Sequence, residues 1–264
     1  MMKTNRVKKL LNSGRLAVGQ WVGLCDPAVV EIMALAGYDF VAIDLEHTMF
    51  DLQTVENMVR AAEATEITSL VRVSSLDPKM ILRIMECGAQ GVFLPHVRTA
   101  DEVKLAVDAA KYWPEGDRGI SGVTRAARYL APDFMAHTRV SNEETMIIAM
   151  IEEAEAVERI DEILAVDGLD VAFIGPADLA RSLGILGRKN HPRMAEAVDR
   201  VIETHRRLEK AHIGIACFHS MYDPPLETLI NKGIRCVTTS PTDTALLLRA
   251  CREQVQMARE AERK

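Results

Sequence analysis

Phe40-Val41-Ala42-Ile43-Asp44-Leu45-Glu46-His47 begins as a four-residue apolar run and ends with three ionisable side chains within four positions. The first half reads as a fully buried strand, short and uniformly apolar. The second half is where such a strand leaves the core. Runs of the same kind recur at residues 18–22, 69–73, 91–94, 146–151, 171–174, 213–218 and 235–239. Between them lie stretches of helical periodicity, over residues 55–64, 79–87, 102–112, 155–165, 193–212 and 226–232. Eight alternating strand–helix units in a chain of this length predict an α/β fold, a TIM (β/α)8 barrel. A doubly wound sheet is the alternative, but no Gly-x-Gly-x-x-Gly follows the first strand.

No linker or low-complexity tract interrupts the rhythm, so residues 1–264 are read as one domain. The exception is the interval 113–144, with Pro114, Gly116, Gly119, Gly122 and Pro132, which reads as a lid or interface loop. A 48% apolar and 27% charged composition is that of an ordinary soluble globular protein. The longest apolar run, 146–151, is too short to cross a bilayer, so no membrane partner is expected. Residues 1–15 carry basic side chains with no apolar segment behind them, and a cytoplasmic location is expected. A net charge of -6 with 5% aromatics lacks the basic footprint of a nucleic-acid binder. The five scattered cysteines make neither a disulfide framework nor a zinc spacing, and are read as buried small hydrophobes.

In such a barrel the active site forms at the carboxyl ends of the strands. There the chain offers Asp44, Glu46 and His47 after strand 2, Arg72 after strand 3, Glu152 after strand 5, and Gly175-Pro176-Ala177-Asp178 after strand 6. Neighbouring strands lie about 4.8 Å apart, so the carboxylates of Glu152 and Asp178 can converge. Two such anions suit a hard divalent cation, Mg²⁺ or Mn²⁺, with Co²⁺ as a further candidate. The alternative is a pair of salt-bridged carboxylates at the rim. The Gly175-Pro176 turn opens a helix whose Ala177 and Asp178 N–H groups face outward, an anion site. Arg72 suits a substrate carboxylate, or else a structural bridge to Asp44 or Glu46. His47 is a candidate general base, with a capping role as the alternative; His96 reads as peripheral. Together these parts suit enolate chemistry, a metal polarising a 2-oxo acid while a base moves a proton. No lysine ends a strand, which argues against a Schiff base.

Asp44-Leu45-Glu46-His47 resembles the D-x-E-H motif of the HpcH/HpaI family, the class II, metal-dependent pyruvate aldolases such as 4-hydroxy-2-oxoheptanedioate aldolase. Gly19-Gln20-Trp21, Ala36-Gly37-Tyr38-Asp39, Arg72, Arg118-Gly119, Ile151-Glu152 and Gly175-Pro176-Ala177-Asp178-Leu179 resemble further family motifs, in family order. The resemblance implies a metal on Glu152 and Asp178, with Arg72 against the pyruvyl group. It implies His47 as acid/base, supported by Asp44 and Glu86, and Trp21, Gly175, Pro176 and Ala177 around the substrate. It implies a homo-oligomer, commonly a hexamer, in which the final helix is exchanged between subunits. The apolar stretch 245–248 of a helix running from Thr242 could pack on such a neighbour.

The implied activity is reversible cleavage of a 4-hydroxy-2-oxo acid to pyruvate, or a related 2-oxo acid, and an aldehyde through a metal-stabilised enolate. Competing readings are a lyase of CoA thioesters such as malyl-CoA, which would need a basic surface the sequence lacks, and a catalytically retired metabolite-binding barrel. Four departures stand out. Met150 replaces a usual Gln, Glu86 a frequent Asp, residues 218–225 form a longer segment, and Thr239-Ser240-Pro241 replaces a Gly-containing turn. The last two point to a non-standard acceptor.

Overall fold

Residues 3–263 are described by the structure, a computed structural model. Eight strands, β1 (Ala17–Val22), β2 (Phe40–Asp44), β3 (Thr68–Arg72), β4 (Gly91–Leu94), β5 (Met146–Ile151), β6 (Val171–Ile174), β7 (His212–Cys217) and β8 (Cys236–Thr239), close a parallel barrel in sequence order. β8 returns to β1 with Val18 opposite Val237. Each strand lies within one residue of its expected span.

The helices are α1 (Arg6–Asn12), α2 (Pro27–Leu35), α3 (Leu52–Thr65), α4 (Pro78–Glu86), α5 (Ala100–Ala110), α6 (Phe134–Glu144), α7 (Ala154–Glu158), α8 (Ile160–Leu164), α9 (Pro176–Ser182), α10 (Pro192–Leu208), α11 (Leu226–Lys232) and α12 (Asp243–Glu262). Their starts are written in the sequence. Asp26 and Asp77 each precede a proline at the first helical position and accept the N–H of Ala28 and Lys79, capping α2 and α4. Thr99 and Glu102 form a capping box on α5. A cap of this kind contributes about 1 kcal/mol.

Two elements depart from the expected helices. The segment 155–165 is split into α7 and α8, because Arg200 takes the carbonyls of Val157 and Glu158 through its guanidinium and draws them from the helical ladder. α10 stops at Leu208, where Glu209 turns left-handed so that His212 can begin β7. Three further helices, α1, α2 and α6, lie outside the expected segments. α6 occupies the end of the interval read as a loop.

Alternation along the strands builds two cores. Ile43, Val71, Ile147 and Ile215 face the helices, while Phe40, Leu70, Ile148 and Phe173 face the barrel interior. Gly19 leaves the space that the Phe40 ring occupies. At the amino-terminal end the interior is plugged by Val7, Leu10 and Leu11 of α1, each burial contributing about 1.5–3 kcal/mol. Asn5 fixes that plug by capping α1 and donating to the carbonyls of Gln90 and Glu144. Of the cysteines, Cys87, Cys217 and Cys236 are buried as expected, whereas Cys25 and Cys251 are exposed, and all are free. Among the described residues no helix is long and apolar enough to cross a membrane.

Candidate active site

The alternation that packs the interior also aims the charges. Met146, Ile148 and Met150 of β5 point inward, and the next residue of that series is Glu152. Phe40 and Ala42 lead in the same way to Asp44, and Leu70 leads to Arg72. A cleft of about 210 Å³ therefore opens at the carboxyl end of the barrel. Its lining includes Trp21, Asp44, His47, Arg72, Met150, Glu152 and the turn from Gly175 to Asp178.

Arg72 is the hub. Its Nε and one terminal nitrogen donate to the two oxygens of Asp44 at 2.8 and 2.7 Å, and the other terminal nitrogen meets Glu46 at 3.0 Å. Both structural bridges considered from sequence are thus present, and N–H donors remain for a ligand. Burial pushes the Asp44 carboxyl up, but the hydrogen bonds and charge of Arg72 outweigh it and hold it below the usual carboxylate range. Burial likewise opposes the charge on Arg72, and the same carboxylates keep it above the usual guanidinium value. The Arg72 guanidinium lies 4.5 Å from the Trp21 ring centre. Trp21 is fixed in turn by its Nε1–H, which donates to Thr238 at 2.9 Å, and by Phe93, 5.1 Å away between ring centres.

Glu152 is 3% exposed and accepts one hydrogen bond, from the backbone N–H of His96 at 3.1 Å. Among the described residues no Lys or Arg pairs with it. Burial, aided by Asp178, lifts its carboxyl to about 7 against the His96 and Arg72 contributions. Asp178 lies across the cleft turn; one oxygen is held by Arg181 Nε at 3.0 Å, and the other has no protein donor among the described residues. Gly175 is required here, since an added Cβ would overlap the Glu152 carboxylate and stand 2.7 Å from its Cγ. Among the described residues no group of three or more His, Cys, Asp or Glu side chains could hold an ion unaided. Two hard oxygen donors fit a Mg²⁺-type ion whose other positions are filled by water and substrate.

His47 lines the cleft with its side chain 62% exposed. Asp44 holds the turn that carries it, accepting the N–H groups of Glu46 and His47 at 3.0 and 3.3 Å. The Asp44 carboxylate therefore touches the backbone of His47, while the ring lies 3.8 Å from Glu46 through Nε2. Glu86 is the one expected site residue that the fold does not bring to the cleft. It lines a separate cavity with Arg83, Cys87 and Arg125, and burial raises its carboxyl against the charge of Arg118.

His96 matters more than its sequence reading suggests. It adopts a left-handed backbone (φ 51), a costly conformation outside glycine that is concentrated at functional sites. That turn aims its N–H at Glu152, while its ring joins Glu46 at 3.1 Å and Glu153 at 3.2 Å. The hint in the sequence was its place at a strand end, behind Pro95. His219, Ser240 and Thr242 also line the cleft, from loops that carry no periodic signal.

Residues 17–228 match the model of the HpcH/HpaI aldolase/citrate lyase family. The chain is 37% identical over 202 residues to a pyruvate aldolase of Rhizobium etli, covering 76% of this chain and 78% of that protein. It is 37% identical over 209 residues to a 4-hydroxy-2-oxo-heptane-1,7-dioate aldolase of Klebsiella pneumoniae, covering 78% of each. The crystal structure of an HpcH/HpaI aldolase from Desulfitobacterium hafniense superposes with a TM-score of 0.88 at 30% identity, covering 96% of both chains.

Proposed function

The chain belongs to the HpcH/HpaI aldolase/citrate lyase family, and from that premise we propose that it cleaves a 4-hydroxy-2-oxo acid reversibly to pyruvate, or a related 2-oxo acid, and an aldehyde. The family is one of carbon–carbon lyases acting on pyruvate-type substrates and dependent on a metal. The observation that carries the reading is the buried Glu152, bridged to no Lys or Arg among the described residues, facing the same cleft as Arg72 and Asp178.

Glu152 and Asp178 would hold the ion, Mg²⁺ or Mn²⁺, with Co²⁺ as an alternative. When bound, it supplies Lewis-acid polarisation of the 2-oxo group. Arg72 presents its remaining N–H donors to the pyruvyl oxygens, and the Ala177 and Asp178 N–H groups at the start of α9 add to them. Because Asp44 and Glu46 fix the guanidinium in advance, little reorganisation is needed as negative charge grows on the 2-oxo oxygen. Trp21, Met150 and Phe173 form the apolar floor and keep water from the carbon that carries the charge. Cleavage needs a base for the 4-hydroxyl proton and an acid for the new methyl group. His47, at the open side of the cleft, serves as that proton carrier through its ring. Met150 stands where a side-chain amide would reach the metal region, so the donor half relies on Arg72 and backbone N–H groups.

α12 supports the oligomer part of the reading. Asp243 is its one buried residue, binding the N–H groups of Gly23 and Leu24, while Leu247, Leu248, Val255 and Met257 stand exposed along it. Exposed apolar side chains in this number fit exchange against a second copy, in a homo-oligomer such as a hexamer. Truncation before Thr242 is expected to lower the mass by light scattering.

The activity is tested by supplying 4-hydroxy-2-oxo acids and reading released pyruvate through a coupled reduction. Turnover with Mg²⁺ or Mn²⁺ that chelator removes is expected. Metal-loaded protein that releases no pyruvate from any of them would overturn the reading.

A further inference from the structure

The cleft has a second wall that the donor chemistry leaves idle. It is formed at the ends of β7 and β8 by Ala216, His219, Ser240 and Thr242. After Cys217 the chain turns through Phe218 in the left-handed region (φ 56), a costly conformation for a bulky side chain. Phe218 is itself 52% exposed, so the turn does not serve to bury it. What the turn achieves is to set His219 at the cleft.

His219 Nδ1 accepts the N–H of Met221 at 3.2 Å, which places the proton of a neutral ring on Nε2. Burial lowers the ring below the usual histidine value, favouring that neutral form. Nε2–H is then a donor with no protein acceptor among the described residues. The Ser240 hydroxyl is equally uncommitted there, whereas Thr242 Oγ1 is engaged with Thr244 Oγ1 at 3.0 Å.

Charge decides what this wall can take. Among the described residues Arg72 is the one Lys or Arg lining the cleft, and Asp44 and Glu46 already offset it. Once a pyruvyl carboxylate occupies its remaining donors and the divalent ion serves the 2-oxo acid, a second carboxylate at the His219 wall would meet no Lys or Arg among the described residues that line the cleft. An aliphatic tail would instead bury Nε2–H and the Ser240 hydroxyl unpaired. The cleft holds about 210 Å³, room for the pyruvyl group and a short acceptor against His219 and Ser240.

Resting on the pyruvate-aldolase reading, we propose that His219 and Ser240 form the acceptor subsite and select an uncharged hydroxyaldehyde of two or three carbons over carboxylated or aliphatic aldehydes. In the addition direction the pyruvate methyl carbon gives up a proton and bonds to the aldehyde carbon, and the aldehyde oxygen takes a proton. The hydroxyl read by His219 passes through unchanged.

Two rates on the purified full-length protein with Mn²⁺ test this. One is proton–deuterium exchange at the pyruvate methyl group, which involves no aldehyde. The other is addition of pyruvate to glycolaldehyde, glyoxylate or propanal, three acceptors of similar size. The kcat/KM for glycolaldehyde is expected to exceed each of the others by about tenfold. His219→Phe is expected to bring the glycolaldehyde-to-propanal ratio towards one, chiefly through KM, with each variant referenced to its own exchange rate. His219→Asn, which restores an N–H donor, is expected to recover part of the ratio, and Ser240→Ala to lose part of it. Glyoxylate matching or exceeding glycolaldehyde, or a ratio unmoved in both the His219→Phe and Ser240→Ala proteins, overturns the acceptor assignment alone. No exchange in the unsubstituted protein defeats the pyruvate reading itself, and this inference with it.

Discussion

The two walls of the cleft use their polar atoms differently. On the side built by β2, β3 and β5, Asp44 binds two nitrogens of Arg72 and two backbone N–H groups, Glu46 joins Arg72 to His96, and Glu153 joins His96 to Arg181. On the side built by β7 and β8, His219 Nε2 and the Ser240 hydroxyl have no partner among the described residues. The first wall is fixed by folding and presents a preorganised field to a developing charge. The second leaves its hydrogen bonds to be completed by whatever enters, which is how a site of fixed chemistry acquires a choice of partner.

The largest effect should come from the fixed wall. Arg72→Ala strands Asp44 and Glu46 as facing carboxylates, and should lower unfolding stability by about 3–5 kcal/mol. Its kcat/KM should fall by about 10³. Urea unfolding beside cleavage kinetics checks both, and an equally stable variant would break the contrast between the walls. Gly175→Ala comes next. Its Cβ displaces Glu152, and divalent-ion affinity by calorimetry should drop by about 10–100-fold.

A third effect is read against pH in chelator. Burial raises Glu152 from 4.5 to about 7, so the folded chain binds that proton more tightly than the unfolded chain does. Metal-free stability should therefore fall as pH rises from 4.5 towards 7, by about 3 kcal/mol. Asp44 and Glu153 are held low by Arg72 and by Ser182 and Arg181, outweighing burial, and lose their contribution only as pH falls through the acid range. Melting temperatures with and without Mg²⁺ should differ in slope across that window, and equal slopes would remove Glu152 from the metal site. The smallest effect is expected for Thr238→Val, which leaves the Trp21 indole N–H unpaired. Stability should fall by about 1–3 kcal/mol, with activity reduced only a few-fold.

The fixed wall was also the more legible one, His96 excepted, since it reads as peripheral in the sequence. Asp44, Arg72 and Glu152 continue the inward alternation of apolar strands, so their direction follows from the residues before them. Glu86 was placed by resemblance alone, and within the chain it opens onto another cavity. His219 and Ser240 sit in loops where no period fixes a direction, and a left-handed Phe218 is not written in composition. α1 escaped because seven residues with three buried side chains give too short a pattern, although its Asn5 cap is a readable start signal.

The most direct test of the fixed wall as a pyruvate-activating site is proton–deuterium exchange at the pyruvate methyl group, followed by NMR in heavy water. Exchange that requires Mg²⁺ or Mn²⁺, ceases with chelator, is lost in Glu152→Ala and falls in His47→Ala is the predicted result. Exchange that persists undiminished in chelator, or in the Glu152→Ala protein, would contradict the account.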